Sequence, residues 1–349
     1  MNTEKKFFHS NTAIVTLFAA CFVVLISLGV RQTFGLFFID FNESLNISNT
    51  AFGFAIGTQM LMWGLTGPIF GAIADRFGGH VAIISSFLFY TLGVYFLYSG
   101  PNTGIFFQIH LGLLIGIGLG GTAISIPMSI VGKHFPLSNR TIAMSIVTAV
   151  GSFGYFISPI FTNYSLIEYG WNYTLFLFSL FLVTGLIAAY FVRSPKENEI
   201  VENRSDQSFK EALSEAFKSK SYILLVSGFF VCGFHITLVG THVPKYVIDR
   251  GLEDWTAAAI LSLIGLFNIF GSLLSGYLST KISKKVLLSA IYLLRGFSIA
   301  FFIFTPPSVL SAFIFGASFG FLWLSTVPAT SGIVAHLFGT TYLSLIHIS

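Results

Sequence analysis

Long apolar runs separated by short polar segments dominate the chain. About 20 apolar residues are needed to cross a hydrocarbon layer of about 30 Å. On that ruler the runs give ten candidate spans, at 12–38, 49–72, 80–98, 103–130, 141–164, 171–192, 221–248, 255–279, 286–304 and 308–334. The runs are continuous rather than alternating, which predicts helices and excludes a barrel of ten-residue strands. The first run, from Asn11 to Val30, is too long for the apolar part of a secretory leader and has no small-residue cleavage site after it. It is expected to remain as span one.

The longest polar stretch follows span six, from Arg193 to Lys220. Its later part, Ser208 to Lys218, sets Phe209, Leu213, Ala216 and Phe217 on one helical face and Lys210, Glu211 and Glu215 elsewhere. This pattern predicts a linker with an amphipathic helix lying on the membrane surface. The chain then divides into a six-helix bundle over 1–192, the linker over 193–220 and a four-helix bundle over 221–349.

Composition sharpens the choice of solvent. Of 349 residues, 54% are hydrophobic and 9% charged, against roughly 25% charged in soluble domains. Such a chain cannot coat a soluble surface, so a lipid bilayer is its expected partner and a soluble enzyme is excluded. The net charge is +4, but the cations lie between apolar runs and do not cluster, so no nucleic-acid face is predicted. Cys21 and Cys232 both sit inside apolar runs, which supports neither a disulfide framework nor a metal site. No cofactor motif is present, and no nucleophile and base pair at membrane depth suggests catalysis.

The positions of the cations predict orientation, because cytoplasmic loops are rich in Lys and Arg. Of the 18 Lys and Arg, 14 fall in the N-terminal segment and in the segments after spans two, four, six and eight, where Arg76, Lys133, Arg193 and Lys285 are examples. Only Lys245 and Arg250 fall on the opposite side, and Arg31 and Arg295 lie within spans. The N-terminus is therefore expected in the cytoplasm, in a plasma (inner) membrane protein.

An internal repeat accompanies this topology. Gly71-Ala-Ile-Ala-Asp75-Arg76-Phe-Gly-Gly-His80 follows span two, and Gly276-Tyr-Leu-Ser-Thr280-Lys281-Ile-Ser-Lys-Lys285 follows span eight. Each is a helix-ending glycine, a short basic turn and a new apolar run, at matching positions of the two halves. That plan implies six helices on each side of the linker. The second half supplies four, and the tail Leu343–Ser349 does not read as an eleventh span, so the expected architecture is six plus four of an anticipated six plus six.

Gly71, Asp75, Arg76 and Gly78 resemble the signature loop of the major facilitator superfamily of transporters, with Gly79 and His80 in place of the family's two basic residues. The stretch Gly29-Val-Arg31-Gln-Thr-Phe-Gly35, the glycines of span four, Gly151-Ser-Phe-Gly154 with Pro159, and Thr241-His242-Val-Pro244 are similar to its monocarboxylate-porter-like branch. The resemblance implies an all-α polytopic fold of the major facilitator type. It also implies secondary transport of a small organic anion, a monocarboxylate first, by alternating access between two bundles. In the family, helices one, four, seven and ten line the central cavity, and the signature Asp closes one state by meeting the start of helix eleven. Asp75, Arg76, Gly71 and Gly78 are accordingly expected to gate, with a solvated loop charge as the alternative for Asp75.

Arg31 is the first candidate for substrate contact, because a cation within the membrane costs about 2.5–3.5 kcal/mol on insertion scales and is usually directed to a cavity or a partner. It could hold a carboxylate in bidentate fashion; the alternative is an interfacial position or a pair with Asp40 or Glu43. His235 and His242 are seven residues apart on one face of span seven. Either could donate to an anion or carry a proton, or be satisfied by a backbone carbonyl. Asn268, Tyr155 and Gln59 are further candidates for the pathway. Arg295, in span nine, is expected to lock helices together. No Asp or Glu lies inside a predicted span, so a proton moving in symport would ride on a histidine or on the substrate itself. A transport-inactive sensor or assembly partner, and a facilitator of another small solute, stay open.

Overall fold

The computed structural model describes residues 11–135, 137–194, 218–327, 329, 330 and 333. The tail at 343–349 and all but the last residue of the amphipathic segment at 208–218 lie outside them. Among the described residues every regular element is helical. Helices are the expected solution in lipid, because they satisfy each backbone N–H and C=O within one segment.

Helix α1 (Asn11–Gln32) is continued by a 3-10 turn at Phe34–Phe37 and by α2 (Phe38–Leu45), so span one runs past its expected end. Helix α3 (Asn49–Phe77) starts at Ser48, whose hydroxyl accepts the Ala51 N–H at 3.2 Å. It stops at Gly78, where φ is +98° and only glycine fits without strain. Helix α4 (Gly79–Ser99) follows at once. Span four is composite: α5 (Ile105–Phe107), a π-helical stretch (Gln108–Leu114), α6 (Ile115–Thr122), a break at Ala123 and Ile124, and α7 (Ser125–His134). Helix α8 (Leu137–Ala189) holds spans five and six, divided where Gly170 leaves helical geometry at φ +79°. After the linker come α9 (Lys220–Asp249), α10 (Asp254–Leu278), α11 (Lys284–Phe304) and α12 (Val309–Leu322).

Among the described residues, seven helical stretches are long and apolar enough to cross a membrane, and the one from Ile142 to Ala189 accounts for two spans. Large apolar side chains such as Phe18 and Phe230 are more than 70% exposed. A solvent of water would not tolerate that many, whereas lipid does. The protein is an integral membrane protein with about ten membrane helices.

The chain separates into two compact units, one of Met1–Gly154, Phe161–Ile200 and Ser349, the other of Tyr155–Ile160 and Val201–Ile348. In the first, α6 packs between α3 and α4 through glycines. A Cβ on Gly116 would stand 2.7 Å from the Gln59 carbonyl oxygen, and one on Gly118 2.5 Å from the Tyr90 Cβ. This is how helices associate in lipid, where tails are as apolar as side chains and close backbone approach supplies the attraction. The same contact carries hydroxyl bonds. Ser86 donates to the Gly118 carbonyl at 2.7 Å and accepts from the Gly121 N–H at 2.8 Å, and Ser27 and Thr122 share a hydrogen bond of 2.7 Å. A ring cluster around Phe41, with Phe37, Phe52, Phe107 and Trp171 about it, fills one end. In the second unit α10 lies along α12, with Gly271 against the Phe321 backbone and Gly320 against Ile264.

Candidate functional site

Arg31 occupies the last turn of α1 and is 4% exposed. Its Nη2 donates to the Met60 sulfur of α3 at 3.3 Å. A cation thus sits buried inside the first unit, with the soft thioether of Met60 among its neighbours. Gln32, the next residue, is 1% exposed, and its amide makes no hydrogen bond to protein. Sequence reasoning passed over Gln32; its signal was the polar triplet Arg-Gln-Thr closing an apolar run.

Gln59 neighbours Met60 but faces another way. It is fully buried, and its Nε2 donates to the Leu111 carbonyl at 3.0 Å. That carbonyl lies in the π-helical stretch, whose wider turn loosens the usual backbone ladder. Gln108 reaches back to the Ala51 carbonyl at 2.8 Å, so α3 and span four are tied by two amides. His110 lies in the same stretch, buried, with Nδ1 3.2 Å from the Asn102 Oδ1 and its ring beside those of Phe96 and Phe106. It too was missed, since a single His in an apolar run carries no periodic signal.

The signature loop forms a separate site. Asp75 pairs with Lys133, near the end of α7, at 2.8 Å. Arg76 lies over the Phe77 ring at 5.3 Å. Gly71 has no neighbour that a Cβ would meet, and Gly78 supplies the left-handed corner. The Gly79 N–H donates to the Ser194 hydroxyl at 2.9 Å, which ties the loop to the end of span six. Met60 and Asp75 are 15 positions apart in one helix, or about 22 Å at 1.5 Å per residue. Arg31, beside Met60, and the loop therefore lie at different levels along α3.

In the second unit, His235 is half-buried with an Nδ1 that makes no hydrogen bond, and His242 is exposed two turns further along α9. Seven residues of helix put them about 10 Å apart, too far to share one ligand atom. Among the described residues no three His, Cys, Asp or Glu groups gather as a metal site would require. Asn268 is fully buried in α10, where its Oδ1 accepts the Leu324 N–H at 2.9 Å. Tyr155, which groups with this unit, is 4% exposed and meets the Trp323 ring edge-on at 6.4 Å. Arg295 is completely buried. Its Nε donates to the Leu322 carbonyl at 2.9 Å, Nη1 to the Cys232 sulfur at 3.0 Å, and Nη2 to the Leu322 carbonyl at 2.5 Å and also to that of Trp323.

Residues 20–346 match the model of the Major Facilitator Superfamily. The chain is 25% identical over 313 residues to mouse monocarboxylate transporter 6, an alignment that covers 81% of this chain and 65% of the mouse protein. Among solved structures it resembles a bacterial homologue of the human lysosomal transporter Spinster, with a TM-score of 0.72 at 17% identity over 97% of this chain and 79% of the other. It also resembles the fucose–proton symporter of Escherichia coli, with a TM-score of 0.67 at 15% identity over 97% and 88% of the two chains.

Proposed function

The chain belongs to the Major Facilitator Superfamily of membrane transporters, and from that premise we propose that it carries a small organic anion, a monocarboxylate foremost, by alternating access. The observation that carries this reading is Arg31: a guanidinium 4% exposed within the first span, in the last turn of α1. Insertion of such a group costs about 2.5–3.5 kcal/mol, and a function that uses the charge explains its presence. A carboxylate fits the fork of the guanidinium with two parallel hydrogen bonds. The similarity to a monocarboxylate transporter supports the same solute class.

His235 and His242 assist from α9, where either imidazole can donate to the anion or carry a proton in symport. The carboxylates of the membrane helices lie near helix ends, as Asp249 and Asp254 do. A coupled proton therefore travels on a histidine or on the solute. The loop from Gly71 to Gly78 gates, with Asp75 and Lys133 as the pair that opens and closes, and Arg76 and Gly78 shaping the turn. The excess of cations in one set of segments supports a plasma (inner) membrane protein with a cytoplasmic N-terminus.

Uptake of labelled lactate and pyruvate into proteoliposomes tests the reading, with Arg31→Ala and Arg31→Lys beside the unaltered chain. Saturable uptake that falls by about tenfold or more in Arg31→Ala, with partial recovery in Arg31→Lys, is the expected result. Saturable uptake untouched by Arg31→Ala would remove the role given to that residue. Absence of uptake for every carboxylate tried would favour a transport-inactive sensor.

A further inference from the structure

The fourth and tenth spans occupy the same place in the two halves of the repeat, and both are broken. The first break is at Ala123 and Ile124; the second runs from Trp323 to Ser325, after which the helix resumes at Thr326. Discontinuous helices at matching positions of an inverted or parallel repeat mark the working parts of many transporters. A break in lipid is costly, because the last carbonyls of the first segment and the first N–H groups of the next lose their partners.

The two breaks have different surroundings. Beside the first lie neutral hydroxyls within the preceding turn: Ser86 bonds Gly118 and Gly121, and Thr122 donates to the Gly118 carbonyl at 2.8 Å. Around the second, side chains from three helices converge on five residues. Arg295 of α11 holds the Leu322 and Trp323 carbonyls. Asn268 of α10 holds the Leu324 N–H, and Ser275 of α10 donates to the Ser325 carbonyl. Cys232 of α9 lies 3.4 Å from the Thr326 hydroxyl and accepts from Arg295. The negative end of the α12 dipole supplies the counter-charge for the guanidinium.

We propose that Arg295 is a positioning residue for transport, whose guanidinium keeps the tenth span broken at Trp323–Ser325 and so sets the segment after the break. Its four hydrogen bonds to protein occupy most of its five N–H donors, and they leave it to act on the helix and not on the solute. The physical competition is local. Without the guanidinium, the Leu322 and Trp323 carbonyls regain bonding by accepting from the N–H groups of Thr326 and Val327, and the helix closes straight across the break. The Val327 N–H now donates instead to the Leu324 carbonyl at 3.0 Å, a bond that closure would give up. Closure also carries Thr326 away from Cys232.

Cys232, 1% exposed, reports on the break independently of any solute. In a Cys21→Ser background, labelling by the membrane-permeant reagent N-ethylmaleimide is measured for Arg295→Met, Arg295→Lys and the unaltered residue, beside uptake. Arg295→Met is expected to label about tenfold faster and to lose about tenfold in maximal uptake with KM within about twofold, and Arg295→Lys to fall between, since an ammonium cannot reproduce the planar fork. A folded Arg295→Met chain that labels at the unaltered rate overturns the proposal. So does a rise in KM with the maximal rate kept, which would put Arg295 on the solute. If neither variant folds, Asn268→Ala frees the other side of the same break and is expected to speed labelling likewise; unaltered labelling there overturns the proposal too. The uptake arm rests on the proposed transport, whereas the labelling arm does not, so the two failures are distinguishable.

Discussion

Replacing Gly118 by alanine tests whether the contact of α6 with α4 is as close as the structure has it. The added Cβ would stand 2.5 Å from the Tyr90 Cβ, 2.6 Å from its N and 2.7 Å from its Cα. Ordinary carbon contacts need about 3.5–4.0 Å, so the two backbones must part by about 1 Å. The obstructing atoms belong to the Tyr90 main chain and its first side-chain carbon, which no rotamer change can move aside. Overpacking of this kind costs about 1–3 kcal/mol, and the better helix propensity of alanine returns up to about 1 kcal/mol.

A net loss of about 1–2 kcal/mol remains, which for a unit of this size is a fall in melting temperature of about 2–8 °C. Parting the backbones also stretches the hydroxyl bonds of Ser86 to Gly118 and Gly121, which adds to the loss. Gly57→Ala is the control: it too is a helical glycine, but a Cβ there meets nothing within 4 Å, so propensity alone acts and stability should hold or rise. Thermal unfolding in detergent, followed by the fluorescence of a thiol-reactive dye on the buried cysteines, measures both. If Gly118→Ala melts with Gly57→Ala, at or above the unaltered chain, the close approach of α4 and α6 is wrong.

Two further perturbations address other parts of the molecule. Phe41→Ala removes a ring that meets Phe37, Phe52, Phe107 and Trp171 at 5.6, 6.3, 5.5 and 5.8 Å. A loss of about 3–5 kcal/mol is expected from such a truncation, and a melting temperature unchanged in the same assay would refute the cluster. The Asp75 and Lys133 pair, with side chains 46% and 36% exposed respectively, should show a coupling below about 1 kcal/mol that shrinks with added salt in a double-mutant cycle of melting. A coupling several times larger, or one indifferent to salt, would show that the pair is shielded from water.

The helices of this protein were legible in its sequence because lipid imposes a local rule. Each crossing must be long, apolar and internally hydrogen-bonded, and a window of about 20 residues reveals that without knowledge of its neighbours. The boundaries at Asn49, Gly79, Lys220 and Asp254 fall within a few residues of those read from hydropathy. The turn after span two, too, was legible, since Gly78 ends α3 through its own backbone conformation. Arg31 could be singled out as a buried cation, but not its contact with Met60, which lies 29 positions away.

Contacts between distant positions were decided by the tertiary structure alone. Asp75 finds Lys133 across 58 residues, and Arg295 finds Leu322 across 27 and Cys232 across 63. The break at Trp323–Ser325 falls within an apolar stretch that hydropathy reads as one continuous span. The residues that sustain it stand on other helices, where they replace the partners its backbone gives up. Hydropathy sees how each segment meets lipid, and it cannot see which polar group a neighbouring helix brings to an interrupted one. Sequence therefore determined the spans and which connecting segments carry the cations. The packing of the helices determined where a span breaks and which side chains hold it open, because a carbonyl buried in lipid must find a donor wherever the fold provides one.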